Sequence, residues 1–147
     1  DESKKLAEYG EHIVVKIPMT EAGLRATKEL RKLGVKTNVT LIFTPSQALL
    51  AAKAGATYVS VFVGRLDDRG HEGMNVVQET SQMFEKHGIK SKIITASIRH
   101  PRHVIEAAKA GSDVSTIPPS ILDKMLKHPL TDDGLAKFAK DWASVKS

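Results

Sequence analysis

The sequence predicts an α/β fold, in which helices cover one parallel sheet, and two observations support this. Short β-branched segments alternate with helical segments along the whole chain. The segment Ala-Ala-Lys-Ala-Gly occurs at residues 51–55 and again at residues 107–111, each time before a predicted strand. This spacing of about 55 residues equals two βα units of a (β/α) barrel or of a doubly wound sheet. Chance reuse of a good helix stop is the alternative, and a parallel sheet is expected in either case.

Composition limits the class of protein. The 147 residues are 41% hydrophobic and 27% charged, and no Pro/Gly/Ser-rich linker interrupts them, which predicts one domain over residues 1–147. The apolar runs are far shorter than the roughly 20 residues of a membrane span, so we expect a cytoplasmic protein without membrane contact. The absence of cysteine excludes disulfides and thiolate sites. A net charge of +5 favours an anionic small molecule, whereas scattered charges and few aromatic residues argue against nucleic acid.

Local signals predict each element in the first half of the chain. Predicted strands cover residues 12–18, 35–43, 57–63, 89–97 and 112–117. Thr20 caps the first predicted helix, which ends at Gly34. Thr44 and Pro45 start the second predicted helix, which ends at Gly55.

The second half of the chain continues this alternation. A charged loop is predicted over residues 65–73, after the third strand. The remaining helices are expected to end near Gly88, to run from Pro101 to Gly111, and to form two terminal pieces separated by His128-Pro129. Thr131 is predicted as the cap of the terminal helix. The sequence thus contains about five strands, each followed by helix.

Lys16 is the first candidate for chemistry, because catalytic groups in parallel α/β folds lie at the carboxyl ends of strands. It lies within the apolar segment at residues 13–18, on the same strand face as Val14. A lysine that loses hydration there favours the unprotonated amine that a Schiff-base nucleophile requires. The alternative is a lysine at the rim of the sheet with its ammonium group in water.

Polar side chains recur at the next two strands. Asn38 and Thr40 alternate on one face of the second strand, and Ser60 and Phe62 do so on the third. Inward-facing amide and hydroxyl groups could orient a polyol substrate and a catalytic water. Threonine is common in strands, so the inward asparagine is the more informative residue.

Two arginines and a serine form a candidate phosphate site. Arg65 follows the third strand, and Ser97 and Arg99 close the fourth, just before the helix that begins at Pro101. Guanidinium groups and a hydroxyl beside a helix N-terminus would bind phosphate. The alternative is that these arginines are ordinary surface residues.

Other patterns carry less information. His100 and His103 have the spacing of one helical turn, but no cysteine or nearby carboxylate completes a metal site. Asp67, Asp68 and Glu72 are expected to solvate the charged loop. No glycine-rich nucleotide motif occurs, so we predict neither a metal nor a cofactor.

With these motifs in order, the chain resembles the transaldolase family, and its small subgroup that includes fructose-6-phosphate aldolases is the most similar. The segments that carry the resemblance are VKIPMT at 15–20, TNVTL at 37–41, SVFVGR at 60–65 and ASIR at 96–99. The resemblance implies a (β/α)8 TIM barrel and a class I Schiff-base mechanism without a cofactor. It also implies transfer of a dihydroxyacetone unit from sedoheptulose 7-phosphate or fructose 6-phosphate to an aldose phosphate in the pentose phosphate pathway.

The resemblance assigns a role to each candidate residue. Lys16 matches the Schiff-base nucleophile, Asn38 and Thr40 match the residues that hold the substrate hydroxyls and the catalytic water, and Ser60 matches a substrate contact. Arg65, Ser97 and Arg99 match the phosphate-binding set. Phe62 replaces a tyrosine of the aldolase subgroup, which favours transfer over free aldol cleavage.

The chain departs from the family because the match begins at the fourth barrel strand. We therefore expect a partial barrel of about five βα units. The first three strands of the family are missing, and with them the aspartate of strand one, the asparagine of strand two and the acid or glutamine of strand three. Phosphorylated sugars are the expected partners, together with a homo-oligomer, pentameric or decameric, or a complementing N-terminal segment. Fructose-6-phosphate aldolase activity, or a non-catalytic assembly or binding module, is the alternative function.

Overall fold

Five parallel strands form one sheet in the computed structural model, which describes residues 2–145. The strands are β1 (Val15–Pro18), β2 (Thr37–Ile42), β3 (Tyr58–Phe62), β4 (Lys92–Ala96) and β5 (Val114–Ser115). The helices are α1 (Glu2–Ala7), α2 (Glu21–Lys32), α3 (Pro45–Ala54), α4 (Val63–Asp67), α5 (Gly73–Lys86), α6 (Pro101–Lys109), α7 (Pro119–Leu126) and α8 (Pro129–Val145).

The strands lie in the order β1-β2-β3-β4-β5, and each pairs in parallel with the next along the chain. A doubly wound sheet reverses its strand order at a switch point, whereas a barrel adds its strands consecutively. The observed order therefore resolves the choice between the two, and it confirms the predicted partial (β/α) barrel.

Alternation along the strands separates two faces of the sheet. Residues on the first face are buried, with Val39, Val59 and Val61 fully inaccessible to solvent, and helices α2, α3 and α5 pack nearby. Residues on the second face include Lys16, which is exposed, and Tyr58, which is half-buried. We call this second face the inner face, because in a barrel it points toward the axis.

The predicted helix boundaries of α2 and α3 are confirmed by their caps. The hydroxyl of Thr20 accepts a hydrogen bond from the Gly23 N–H at 3.0 Å. Thr44 accepts from the Gln47 N–H at 3.2 Å. Gly55 ends α3 with φ +101°, a left-handed conformation that glycine adopts without a Cβ penalty.

Four features differ from the prediction. Every strand is shorter than expected, and β5 has two residues. Residues 63–67 form the short helix α4, where a strand end and a loop were predicted. Helix α8 begins at Pro129, so Thr131 lies inside its first turn and the predicted cap position is wrong. Helix α1 was not predicted, because its six residues carry no strong periodicity.

Two compact units follow one another along the chain. The first, residues 1–117, contains the whole sheet, and the second, residues 118–147, contains α7 and α8. The prediction of a single domain over 1–147 stays a prediction. Within residues 2–145, no helix is long and apolar enough to span a bilayer.

Candidate functional site

An open pocket of about 380 Å³ lies on the inner face of the sheet. Its lining residues come from all five strands and the residue before β1: Val14, Lys16, Asn38, Tyr58, Ile94 and Val114. Strand register brings the polar members together, because Lys16 is paired with Asn38 across β1 and β2, and Asn38 with Tyr58 across β2 and β3. The structure thus places the predicted nucleophile and the predicted amide in one pocket.

Lys16 is fixed by its neighbours in β1. Val15 and Ile17 on either side are buried, at 4% and 5% exposure, so alternation directs Lys16 to the opposite face. The side chain of Lys16 is exposed in this chain. The expected loss of hydration is therefore not observed here, and Lys16 matches the alternative of a lysine with its ammonium group in water.

Asn38 and Ser60 are joined by a hydrogen bond. Ser60 Oγ donates to Asn38 Oδ1 at 2.7 Å, and Ser60 itself is 2% exposed. The amide oxygen of Asn38 is therefore occupied, and its amide N–H groups are left for the pocket that Asn38 lines. An N–H donor beside a lysine suits a substrate hydroxyl or carbonyl oxygen.

Thr40 lies near the carboxyl end of β2, where it pairs with Pro18, the last residue of β1. Its side chain is 8% exposed, and within residues 2–145 its hydroxyl has no hydrogen-bond partner. The ladder between β2 and β3 shifts register between Val39 and Ile42, where Leu41 has φ +62°. A buried hydroxyl without a partner at a strand end can bind a water or a ligand hydroxyl.

Phe62 is the last residue of β3, and Arg65 lies in the helix α4 that follows it. The Phe62 ring contacts the edge of Phe43, with 6.0 Å between ring centroids. The guanidinium carbon of Arg65 lies 5.2 Å from the centroid of the Phe62 ring. This cation–π contact holds Arg65 over the carboxyl end of the strand.

The start of α4 packs tightly against the turn after β4. The Gly64 N–H donates to the Ser97 carbonyl oxygen at 3.1 Å. A Cβ atom on Gly64 would lie 2.1 Å from that oxygen and 2.6 Å from Arg99 Nε, so only glycine fits. This close approach brings Arg65, next in the chain, to the same end of the sheet as Ser97 and Arg99.

Arg99 is held by a carboxylate rather than left free. Its Nη2 donates to Asp68 Oδ2 at 2.8 Å, in an ion pair that is about half exposed. The N-terminus of α6 is capped by His100, whose Nδ1 accepts from the His103 N–H at 3.3 Å. The predicted phosphate-binding residues therefore lie at the same end of the sheet, with the guanidinium of Arg99 already paired.

The expectation that Asp67 and Asp68 simply solvate a loop is wrong. Asp67 Oδ2 lies 2.8 Å from Nε2 of His103, which is 6% exposed, and Asp67 Oδ1 accepts from the Gly73 N–H at 2.9 Å. The spacing of His103 and Ala107 on α6 was the available signal, because both lie on the buried face of that helix. Tyr58, two residues before Ser60, was also missed. Within residues 2–145, no three His, Asp or Glu side chains converge to hold a metal ion.

The sequence of this chain matches that of a known protein family. The sequence profile described as "Transaldolase/Fructose-6-phosphate aldolase" matches residues 1–147. The chain belongs to this transaldolase family. The family resemblance stated from the motifs is thereby confirmed.

Similar curated proteins carry the name "Probable transaldolase". The one from Nitrosopumilus maritimus is 57% identical over 148 residues, which cover 100% of this chain and 67% of that relative. One from Methanococcus maripaludis is 57% identical over 96% of this chain and 66% of its own length. One from Hydrogenobaculum is 56% identical over 98% of this chain and 66% of its own length. The chain thus spans about two thirds of the length of these relatives.

Proposed function

We propose that this chain carries the nucleophile and the phosphate-binding residues of a transaldolase that transfers a dihydroxyacetone unit between sugar phosphates. The observation that supports this most directly is that Lys16 and Asn38 line one pocket in a chain of this family. The family resemblance implies a lysine nucleophile, and Lys16 matches it.

Lys16 supplies the covalent chemistry in this proposal. Its Nζ amine adds to the ketone carbon of the ketose phosphate, and uptake of one proton with loss of one water molecule gives an iminium ion. The bond between the third and fourth substrate carbons then breaks as the hydroxyl on the fourth carbon gives its proton to the water that Thr40 holds, and an aldose phosphate leaves. The electron pair stays on the lysine-bound three-carbon unit as an enamine, which attacks the carbonyl carbon of an acceptor. Hydrolysis of the new iminium ion releases the product and restores the amine.

Three polar residues orient the substrate. The free N–H groups of Asn38 donate to the hydroxyls of the dihydroxyacetone unit, and Ser60 keeps the Asn38 amide in that orientation. The unpartnered hydroxyl of Thr40 holds the water that takes part in proton transfer and hydrolysis. All three lie on neighbouring strands, so their spacing is set by the sheet rather than by a loop.

Phosphate binding is assigned to Arg65, Ser97 and Arg99. The arginines come from two adjacent βα connections that the Gly64–Ser97 contact holds together. Two guanidinium groups and a hydroxyl supply several charge-assisted hydrogen bonds to one phosphate. An incoming phosphate replaces Asp68 as the partner of Arg99.

Transfer is favoured over free aldol cleavage. Phe62 has no hydroxyl, and its ring packs between Phe43 and Arg65. A general acid that would protonate the enamine is thus missing at this position, and the enamine waits for an acceptor aldehyde. Fructose 6-phosphate or sedoheptulose 7-phosphate is the proposed donor, which places the reaction in the pentose phosphate pathway.

A single-turnover assay tests this function. The 147-residue chain is mixed with fructose 6-phosphate, and released glyceraldehyde 3-phosphate is measured with and without erythrose 4-phosphate. Without acceptor we expect a burst equal to the amount of chain, and with acceptor we expect continued release with sedoheptulose 7-phosphate as product. The Lys16→Met variant loses both, since methionine has no nucleophilic amine.

Lys92→Met is the matched control. Lys92 is an exposed lysine at the start of β4, where strand register pairs it with Tyr58. We expect this variant to keep the burst. Continued release of aldose without any acceptor would show an aldolase instead, and release that survives in Lys16→Met would contradict the proposal.

A further inference from the structure

We propose that His103 is a positioning residue for phosphate binding, acting through a neutral imidazole that fixes the backbone of Arg99. This inference rests on the proposed role of Arg99. In this proposal His103 acts through Arg99 and does not itself contact the substrate. The proposal comes from a buried polar side chain that the proposed reaction does not use.

The hydrogen bonds of His103 define its protonation. The Arg99 N–H donates to His103 Nδ1 at 3.2 Å, so Nδ1 carries a lone pair. Nε2 lies 2.8 Å from Asp67 Oδ2, and a carboxylate oxygen accepts, so Nε2 carries the hydrogen. The bond from the Arg99 N–H excludes a hydrogen on Nδ1, so the Nε2–H tautomer is the one that fits both contacts of the ring.

Asp67 selects this tautomer. Its second oxygen, Oδ1, accepts from the Gly73 N–H at 2.9 Å, so the carboxylate is anchored between α4 and α5. The carboxylate therefore has a fixed position from which to accept the Nε2 hydrogen. A carboxylate that orients a histidine in this way determines which nitrogen faces the group beyond it.

Arg99 is thus held at two places by α4 and α6. His103 fixes its backbone N–H, and Asp68 holds its guanidinium group at 2.8 Å. The Asp68 pair is half exposed and can exchange for a phosphate, whereas the part-buried bond to the buried His103 side chain persists. The bond to His103 keeps the backbone of Arg99 in place while the Asp68 pair is exchanged.

Other groups face this cluster. The ring of His100 stacks on His103 with 3.8 Å between centroids. Glu72 and Glu106 line the same cavity of about 380 Å³ as Asp67 and His103. Within residues 2–145, the His103 ring nitrogens contact Arg99 and Asp67 rather than any of these groups.

Two conservative variants separate the two ring nitrogens. Asparagine places an amide oxygen near the position of Nδ1, so His103→Asn keeps an acceptor for the Arg99 N–H. Glutamine places its amide nitrogen near Nε2, so His103→Gln keeps the contact with Asp67 and loses the acceptor. Inorganic phosphate is the probe, titrated into the isotope-labelled 147-residue chain while the NMR signals of Arg99 are followed.

We expect His103→Gln to weaken phosphate binding about tenfold, the usual effect of leaving a buried N–H without its acceptor. His103→Asn restores binding to within about twofold of the wild type, because the acceptor returns. Asp67→Asn weakens binding in the wild-type background and has no further effect in His103→Asn, which has no tautomer to select. Trapping of dihydroxyacetone with borohydride, which needs no phosphate, is unchanged in all of these variants.

Three controls make the outcomes distinct. Arg99→Ala tests the proposed phosphate role, and unchanged phosphate binding there would overturn that role together with the inference built on it, whereas loss of binding there with normal binding in His103→Gln would overturn the inference alone. Ala107→Gly, one turn further along α6, weakens the helix without touching Arg99, so equal loss in this variant would show a merely structural effect. Normal phosphate binding in His103→Gln, or a nitrogen NMR spectrum with the hydrogen on Nδ1, would overturn the inference.

Discussion

Asn38 lies between Lys16 on one neighbouring strand and Tyr58 on the other, and its amide oxygen is already bonded to Ser60. An asparagine amide can rotate and present either its oxygen or its nitrogen to a ligand. The bond from Ser60 Oγ, at 2.7 Å, removes that freedom. In the proposed reaction, Ser60 therefore orients the Asn38 amide toward the substrate.

Removal of this hydroxyl is the first residue-scale prediction. In Ser60→Ala the amide of Asn38 is free to turn, and we expect the rate of imine formation with dihydroxyacetone to fall roughly fivefold to tenfold. The rate is measured by borohydride trapping over time. Ser91→Ala is the matched control, because Ser91 Oγ donates to the Ala56 carbonyl before β4 begins. Equal rates in the two variants would contradict this role for Ser60.

Strand alternation predicts which residues of one strand share a face, such as Lys16 and Val14, and both of these line the pocket on the inner face. It cannot predict contacts between elements distant in sequence. The bond between Asp67 and His103 joins α4 to α6, so no local pattern identified it. The exposure of Lys16 could not be predicted from a local pattern either, because it depends on what covers the inner face and not on the residues beside Lys16 in the strand.

At the scale of elements, helix caps were the most predictable feature and α4 the least. Thr20, Thr44 and Gly55 are short-range signals that act within one turn of helix. Helix α4 instead begins with Val63, a β-branched residue that favours strands. The hydrogen bond from the Gly64 N–H to the Ser97 carbonyl oxygen stabilises α4. This tertiary contact overrides the local strand preference of Val63.

A substitution in α4 tests this contact. Gly64→Ala places a Cβ 2.1 Å from the Ser97 carbonyl oxygen, so the backbone must shift, and we expect a loss of about 1–3 kcal/mol in the free energy of unfolding. Gly134→Ala is the control, since a Cβ there meets nothing within 4 Å, and it should stabilise helix α8 by up to about 1 kcal/mol. Urea unfolding measures both. A neutral Gly64→Ala would show that α4 does not depend on close approach to the turn.

At the scale of the whole molecule, the repeated AAKAG segments indicated a regular series of βα units, and the sheet has that regularity. The strand order could not be read from the repeat, because a barrel and a doubly wound sheet share it. Strand β5 has two residues, yet Asp113 Oδ2 accepts from the Ile93 N–H at 2.8 Å and Ser112 Oγ bonds to Thr95. These side-chain bonds hold a strand that its own length would leave weakly paired.

The curated relatives are longer than this chain, which spans about two thirds of their length. The sheet ends at β1 and β5 in the described residues, and each terminal strand has one edge without a partner in the sheet order. Unpaired edges favour association with another strand. The homo-oligomer and the complementing N-terminal segment predicted from the sequence are both consistent with such edges and stay predictions.

The central claim is that Lys16 is the Schiff-base nucleophile, and the most direct test is to locate the covalent adduct. The chain is incubated with carbon-13-labelled dihydroxyacetone, reduced with borohydride, digested and analysed by peptide mass spectrometry. The account predicts a labelled three-carbon adduct on the peptide that contains Lys16, absent in Lys16→Met and retained in Lys92→Met. An adduct on a different lysine, or equal labelling in Lys16→Met, would contradict it.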